Sequence, residues 1–96
     1  MKEPVRQTLE PRDIALKRLR LRSWRRGIKE MDLILGGFAD TGLSDLSDTE
    51  LALYDRMLSE NDHDLYAWSS GAQPTPELYS GLISRILMSV NLPTKT

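Results

Sequence analysis

The stretch IKEMDLILGGFA, residues 28–39, decides how this chain folds. Its apolar residues Met31, Ile34, Leu35 and Phe38 recur at i, i+3, i+4 and i+7. On a period of 3.6 residues, that spacing puts all four on one stripe of a helix that must be laid against a core. Gly36 and Gly37 sit inside the same run. They either weaken the helix, since glycine is a poor helix former, or permit another element to approach closely.

The flanking sequence is also helical. Upstream, residues 13 to about 25 read as a first helix, with Ile14, Leu16, Leu19 and Leu21 among many arginines. Pro11 and Asp13 suit its start, where a fixed φ and a negative charge are favourable. Gly27 separates the two helices, as a C-terminal cap or as a bend. Downstream, Ser47-Asp48-Thr49-Glu50 has the capping-box pattern and opens a third helix, striped by Leu51, Tyr54, Met57 and Leu58. Asn61-Asp62-His63-Asp64 is a turn rich in capping groups, ahead of a short helix that ends at Gly71. Thr75-Pro76-Glu77 opens the last helix, with Tyr79, Leu82, Ile83, Ile86 and Val90 on one face and Pro93 beyond it. No stretch alternates with period two, and the chain holds only two valines, so strands are not expected. The fold class is all-α, a compact five-helix bundle over residues 13–92 with tails at 1–12 and 93–96.

Ninety-six residues make one domain, with 40% hydrophobic and 28% charged side chains, an ordinary globular composition. The absence of cysteine excludes disulfides, zinc-thiolate sites, iron–sulfur ligation and thiol catalysis. The longest apolar stretch, residues 33–39, contains two glycines and falls far short of the ~20 residues of a membrane span. The opening MKEPVRQTLEPRD has no hydrophobic segment of the kind a secretory signal requires and is a poor transit peptide. A bacterial cytoplasmic protein is expected, or one of the mitochondrial matrix if eukaryotic. His63 is the sole histidine, in an Asn/Asp turn with no nucleophile suggested beside it. Asp62, His63 and Asp64 lack the spacing of a metal loop and are better read as helix-capping residues. There is no P-loop and no dinucleotide fingerprint. These absences argue against an enzyme, a metal site and a stably bound cofactor.

Net charge is −1, yet residues 1–30 carry ten Lys/Arg against four Asp/Glu and residues 31–96 carry three against ten. The basic third either meets an acidic partner or is attracted by the rest of its own chain. Within it, KRLRLRSWRRGIK spans residues 17–29. Arg18, Arg22, Arg25 and Arg26 recur at helical spacings on one face, flanked by Lys17 and Arg20, and Trp24 adds a residue type common at binding hot spots. A small helical nucleic-acid-binding module is the rival reading, as is docking on some other protein. The acidic remainder of the chain and a pI of about 5.8 weigh against nucleic acid.

Residues 23–32, SWRRGIKEMD, closely resemble the signature of the succinate dehydrogenase assembly factors, the SdhE-type flavinylation family. The Arg-Gly-x-x-Glu hallmark is matched by Arg26, Gly27 and Glu30, the aspartate that often follows by Asp32, and the apolar helix ending in phenylalanine by Phe38. Ser47, Asp48 and Glu50 resemble a further helix start of the family. Asp62, Asp64, Leu65, Tyr66 and Trp68 resemble its Asp-x-Asp-Leu-aromatic-x-Trp element. The likeness covers roughly residues 13–88 in order and spacing. It departs at Ser69-Ser70, where many members are apolar, which bears on the packing of the fourth helix.

The resemblance implies a five-helix chaperone, not an enzyme. Such a chaperone binds the flavoprotein subunit of succinate dehydrogenase, and in some bacteria fumarate reductase, and promotes covalent attachment of FAD to a histidine of that partner. The helical spacing of the arginines together with the signature points to a docking surface made by Arg18, Arg22, Trp24, Arg25, Arg26, Gly27, Glu30 and Asp32. In that surface Gly27 adopts φ > 0 or lets the partner backbone approach, and Arg26 grips a partner carboxylate as a planar fork. Glu30 either orients Arg26 as an i,i+4 pair worth ~0.3–0.5 kcal/mol or accepts bonds from the partner. Asp32 points elsewhere, towards the rim.

Overall fold

The computed structural model describes residues 10–90, with the backbone alone at Val90. Five α-helices follow one another among these residues: α1 (Arg12–Trp24), α2 (Lys29–Thr41), α3 (Asp48–Met57), α4 (Asp62–Ser70) and α5 (Glu77–Val90), with a 3-10 turn over Leu43–Asp45. The all-α class matches the sequence reading. The position of the Val90 side chain, the closing role of Pro93 and most of the expected tails lie outside the described residues. Arg12, assigned to the N-terminal tail, is instead the first residue of α1. Its guanidinium bonds Asp48 at 2.6 Å and the carbonyls of Ser44 and Leu46 at 3.0 and 2.6 Å.

Local signals set the helix ends. Ser47 and Glu50 exchange the two bonds of a capping box, Glu50 N–H to Ser47 Oγ at 3.1 Å and Ser47 N–H to Glu50 Oε1 at 2.8 Å. The Ser47 N–H, and secondarily Arg85, hold the Glu50 carboxyl below its ordinary value. Asn61 caps α4 by accepting from the His63 N–H at 2.7 Å. At the other end, Gly71 takes φ 84°, a left-handed conformation that closes the helix without the Cβ penalty.

The α2 stripe lies at the centre. Met31, Ile34, Leu35 and Phe38 are all buried, and α2 packs on α1, α4 and α5. Leu51, Tyr54 and Met57 of α3, Leu58 at its C-cap, and Tyr79, Leu82, Ile83 and Ile86 of α5 complete the core, as their periodicity predicts. Each fully buried side chain of this kind contributes on the order of 1.5–3 kcal/mol. The Phe38 and Tyr54 rings meet at 5.7 Å between centroids. Ser69 is buried in α4 despite its polarity, its hydroxyl satisfied on the Leu65 carbonyl of the same helix at 2.8 Å.

α1 contributes less apolar surface than its leucines suggest. Leu19 is buried, whereas Ile14 and Leu21 are 47% and 59% exposed. The inward face instead carries Ser23, fully buried, whose hydroxyl donates to the Leu19 carbonyl at 2.8 Å and lies 2.6 Å from the Tyr54 hydroxyl. With the Ser23 proton on Leu19, the Tyr54 O–H is the donor of that second bond. Burial is the chief cause that pushes the Tyr54 phenol up to about 12.

Gly36 resolves in favour of close packing. An added Cβ there would land inside the Trp24 indole, which lies flat across this point of α2. Gly37 meets nothing within 4 Å and has no such constraint.

Candidate docking site

α1 ends at Trp24 because residues 25–28 leave helical geometry. Arg25 has φ −122° and ψ 55°, and Ile28 is extended ahead of α2. Arg26 and Glu30 therefore do not share a helix turn, and the i,i+4 pair expected between them does not form. The bend is held by carboxylates from two other places in the chain. Asp32, in the first turn of α2, accepts from the Arg26 backbone N–H at 2.6 Å, so it faces the loop and not the rim.

Asp62, the first residue of α4, takes both the Arg26 Nε–H on Oδ1 at 2.7 Å and the Gly27 N–H on Oδ2 at 2.5 Å. The rest of the Arg26 guanidinium donates to the Leu58 carbonyl at 2.9 Å and the Glu60 carbonyl at 3.3 Å. Leu58 and Glu60 lie where α3 ends and Asp62 lies where α4 begins. The cation thus sits at the negative end of one helix dipole and the anion at the positive end of the next. The Arg26 side chain is only 10% exposed and that of Asp62 17%. Arg26 is a strut inside the molecule, and the expectation that it reaches out to grip a partner carboxylate is not met in this structure. The reason is that its donors already have acceptors. Gly27 does not take a positive φ. Its lack of a Cβ lets the Asp62 carboxylate approach, since an added Cβ would lie 3.1 Å from Oδ2.

The other arginines divide into paired and unpaired. Asp55 of α3 bridges Arg18 at 2.9 Å and Arg22 at 2.6 Å, and Glu10 adds a second pair to Arg18 at 2.9 Å. Glu10 first, then Asp55, raise the Arg18 guanidinium above its ordinary value. Asp40 of α2 binds Arg20 at 2.7 Å and the Trp24 indole N–H at 3.2 Å. Thus much of the charge asymmetry is consumed inside the chain. The side chains of Arg25 and Glu30 are exposed and make no hydrogen bond or ion pair among the described residues. Trp24 remains 39% exposed.

Arg18, Leu21, Arg22, Arg25 and Arg26 line an open concavity of about 400 Å³ along α1 and the bend. Of the eight residues singled out from the sequence, Arg18, Arg22, Arg25 and Arg26 share this concavity, whereas Trp24 lies against Gly36 and Asp40 of α2. The carboxylates that order them, Asp55, Asp62, Asp40 and Glu10, were missed as site residues. Arg18 and Arg22, one turn apart, signal that a single carboxylate is able to bridge them, but not which one. His63 is exposed, and no group of three or more metal-ligating side chains exists among the described residues. No helix of the described residues is long and apolar enough to cross a membrane.

A small helical domain with a basic first helix, tied by ion pairs to an acidic remainder and leaving a charged bend at its surface, defines the class. The chain belongs to the family described as flavinator of succinate dehydrogenase, whose family model matches residues 17–90. It is 41% identical over 80 residues to succinate dehydrogenase assembly factor 2, mitochondrial, of Danio rerio, covering 81% of this chain and 51% of that protein. It is 40% identical over 86 residues to assembly factor 2-A of Drosophila persimilis, covering 88% and 53%. It is 43% identical over 75 residues to the Aspergillus flavus factor, covering 78% and 26%. The chain therefore spans about half or less of the length of these relatives.

Proposed function

We propose that this chain docks on the flavoprotein subunit of succinate dehydrogenase and promotes covalent attachment of FAD there, as a chaperone with no reaction centre of its own. The observation that carries this reading is the bend at residues 25–30. It is the part of the family signature that faces solvent, and it holds an unpaired cation, Arg25, and an unpaired anion, Glu30, about a backbone with no Cβ at Gly27. Such a surface reads a partner carboxylate and a partner cation or N–H at once, which fixes orientation as well as affinity. Trp24 supplies a partly exposed aromatic face beside them. FAD is cargo of the partner in this scheme. The factor acts by holding the partner's flavin-binding and capping regions in a productive arrangement, and fumarate reductase is a second candidate partner of the same kind.

Nucleic-acid binding is less well supported. Arg18, Arg20 and Arg22 already face carboxylates, which would have to be displaced and would repel a phosphate backbone. The relatives are named as mitochondrial, and the compartment of this chain follows that of its flavoprotein partner.

The test compares covalent flavin fluorescence of the flavoprotein band on a denaturing gel. Cells lack this protein or carry the wild type, Gly27→Arg, or the double variant Arg25→Glu/Glu30→Arg. The expected result is a dim band without the factor, restored by wild type and not by either variant, while circular dichroism of the purified double variant stays near native. Undiminished flavinylation in every case would overturn the assignment.

A further inference from the structure

The acidic residue with most influence on the bend is not in the signature segment at all. Asp62 lies 35 residues beyond Gly27 in sequence, on a different helix, yet its two oxygens bind the Arg26 Nε–H and the Gly27 N–H together. We propose that Asp62 is the positioning residue of the docking loop, pinning Arg26 as an internal strut so that Arg25 and Glu30, and not Arg26, read the flavoprotein. This deepens the docking reading above and rests on it.

The argument is one of competition for donors. The Arg26 guanidinium has acceptors on Asp62, Leu58 and Glu60 and is largely buried. A charge-assisted bond in such a setting shifts an equilibrium by on the order of ten- to a hundredfold. A partner carboxylate that took Arg26 away would have to replace these three acceptors and leave the half-buried Asp62 without its counter-charge. Arg25 and Glu30 carry no such debt, because neither has a partner to lose. Fixing the backbone between them before encounter also removes an ordering cost from binding, which is how a residue that never touches the partner changes affinity.

An isosteric change at Asp62 isolates the effect. In Asp62→Asn one acceptor oxygen becomes an NH2 group that must face either the Arg26 Nε–H or the Gly27 N–H, so one of the two bonds is lost with almost no change of volume.

Binding of the full chain to the purified flavoprotein subunit is measured for wild type, Asp62→Asn, Arg26→Lys, the Asp62→Asn/Arg26→Lys pair and Arg25→Glu/Glu30→Arg. Asp62→Asn is expected to raise Kd by about tenfold or more with near-native helix content. Arg26→Lys, which cannot span the three acceptors, is expected to do the same. The pair of changes is expected to cost little more than either alone, because both break one strut. Independent, additive losses would mean that Arg26 touches the partner directly and would overturn the proposal.

A measurement on the wild type needs no variant to fold. The Arg26 Nε–H and Gly27 N–H resonances are expected to stay protected from exchange and nearly unshifted on complex formation. A large shift of Nε–H on binding refutes the strut. If Arg25→Glu/Glu30→Arg loses binding while Asp62→Asn binds like wild type, the positioning role alone fails. If all variants bind like wild type, the docking reading fails with it.

Discussion

Two adjacent glycines in α2 are expected to respond to the same substitution with opposite signs. In Gly37→Ala the new Cβ meets nothing within 4 Å, so only the helix propensity changes. That gain is about 0.8–1 kcal/mol, since alanine loses less backbone entropy than glycine in a helix interior. In Gly36→Ala the same gain is available, but the methyl falls inside the Trp24 ring, and the indole must leave. Displacing it costs about 1–3 kcal/mol as overpacking or lost contact. Loss of the 3.2 Å bond from the indole N–H to Asp40 adds roughly 0.5–1 kcal/mol. The net for Gly36→Ala is a destabilisation of about 0.5–3 kcal/mol, which puts the two variants about 1.5–4 kcal/mol apart. Urea unfolding followed by circular dichroism measures this. For a domain of this size the gap corresponds to roughly 6–32 °C in Tm. Trp24 fluorescence in Gly36→Ala is expected to shift to the red as the ring enters solvent. Equal stability of the two variants, or an unshifted emission in a stable Gly36→Ala, would refute the packing of Trp24 across α2.

Other groups give equally direct tests. The Tyr54 phenol has a folded value of about 12, above its ordinary 10, so the folded state holds the proton more tightly. Its contribution is complete below pH 10 and is lost as pH rises towards 12, by about 2–3 kcal/mol in chemical unfolding, and Tyr54→Phe is expected to flatten that loss. Arg26→Ala leaves Asp62 and two carbonyls without their donor and is expected to cost about 3 kcal/mol in urea unfolding, whereas Arg25→Ala is expected to stay within about 0.5 kcal/mol of wild type. Ser47→Ala removes half of the capping box and is expected to cost about 1 kcal/mol. Because the Glu50 carboxyl is held below its ordinary value, the Glu50 part of that cap is present above the normal carboxylate range. It fades as pH falls through the lowered value, and a stability profile of Glu50→Gln is expected to lack this step.

The helices and the core were legible in the chain itself because each depends on neighbours three and four residues away. The Met31–Ile34–Leu35–Phe38 stripe, the Ser47/Glu50 box and the Gly71 stop are local statements, and the structure obeys them. The proposed docking surface rests on a related reason, since Arg26, Gly27 and Glu30 form one short segment. What tertiary structure alone decided is which of those groups remain available. A guanidinium is committed by whatever acceptors the fold brings within about 3 Å. Asp55, Asp40 and Asp62 arrive from 16 to 37 positions away, at distances no spacing rule encodes. Sequence read Arg26 as the outward hand and Asp62 as a helix cap. The packing of α4 against the bend turned both inward and left Arg25 and Glu30 to face solvent, because a buried charge must find its partner within the fold whereas an exposed one need not.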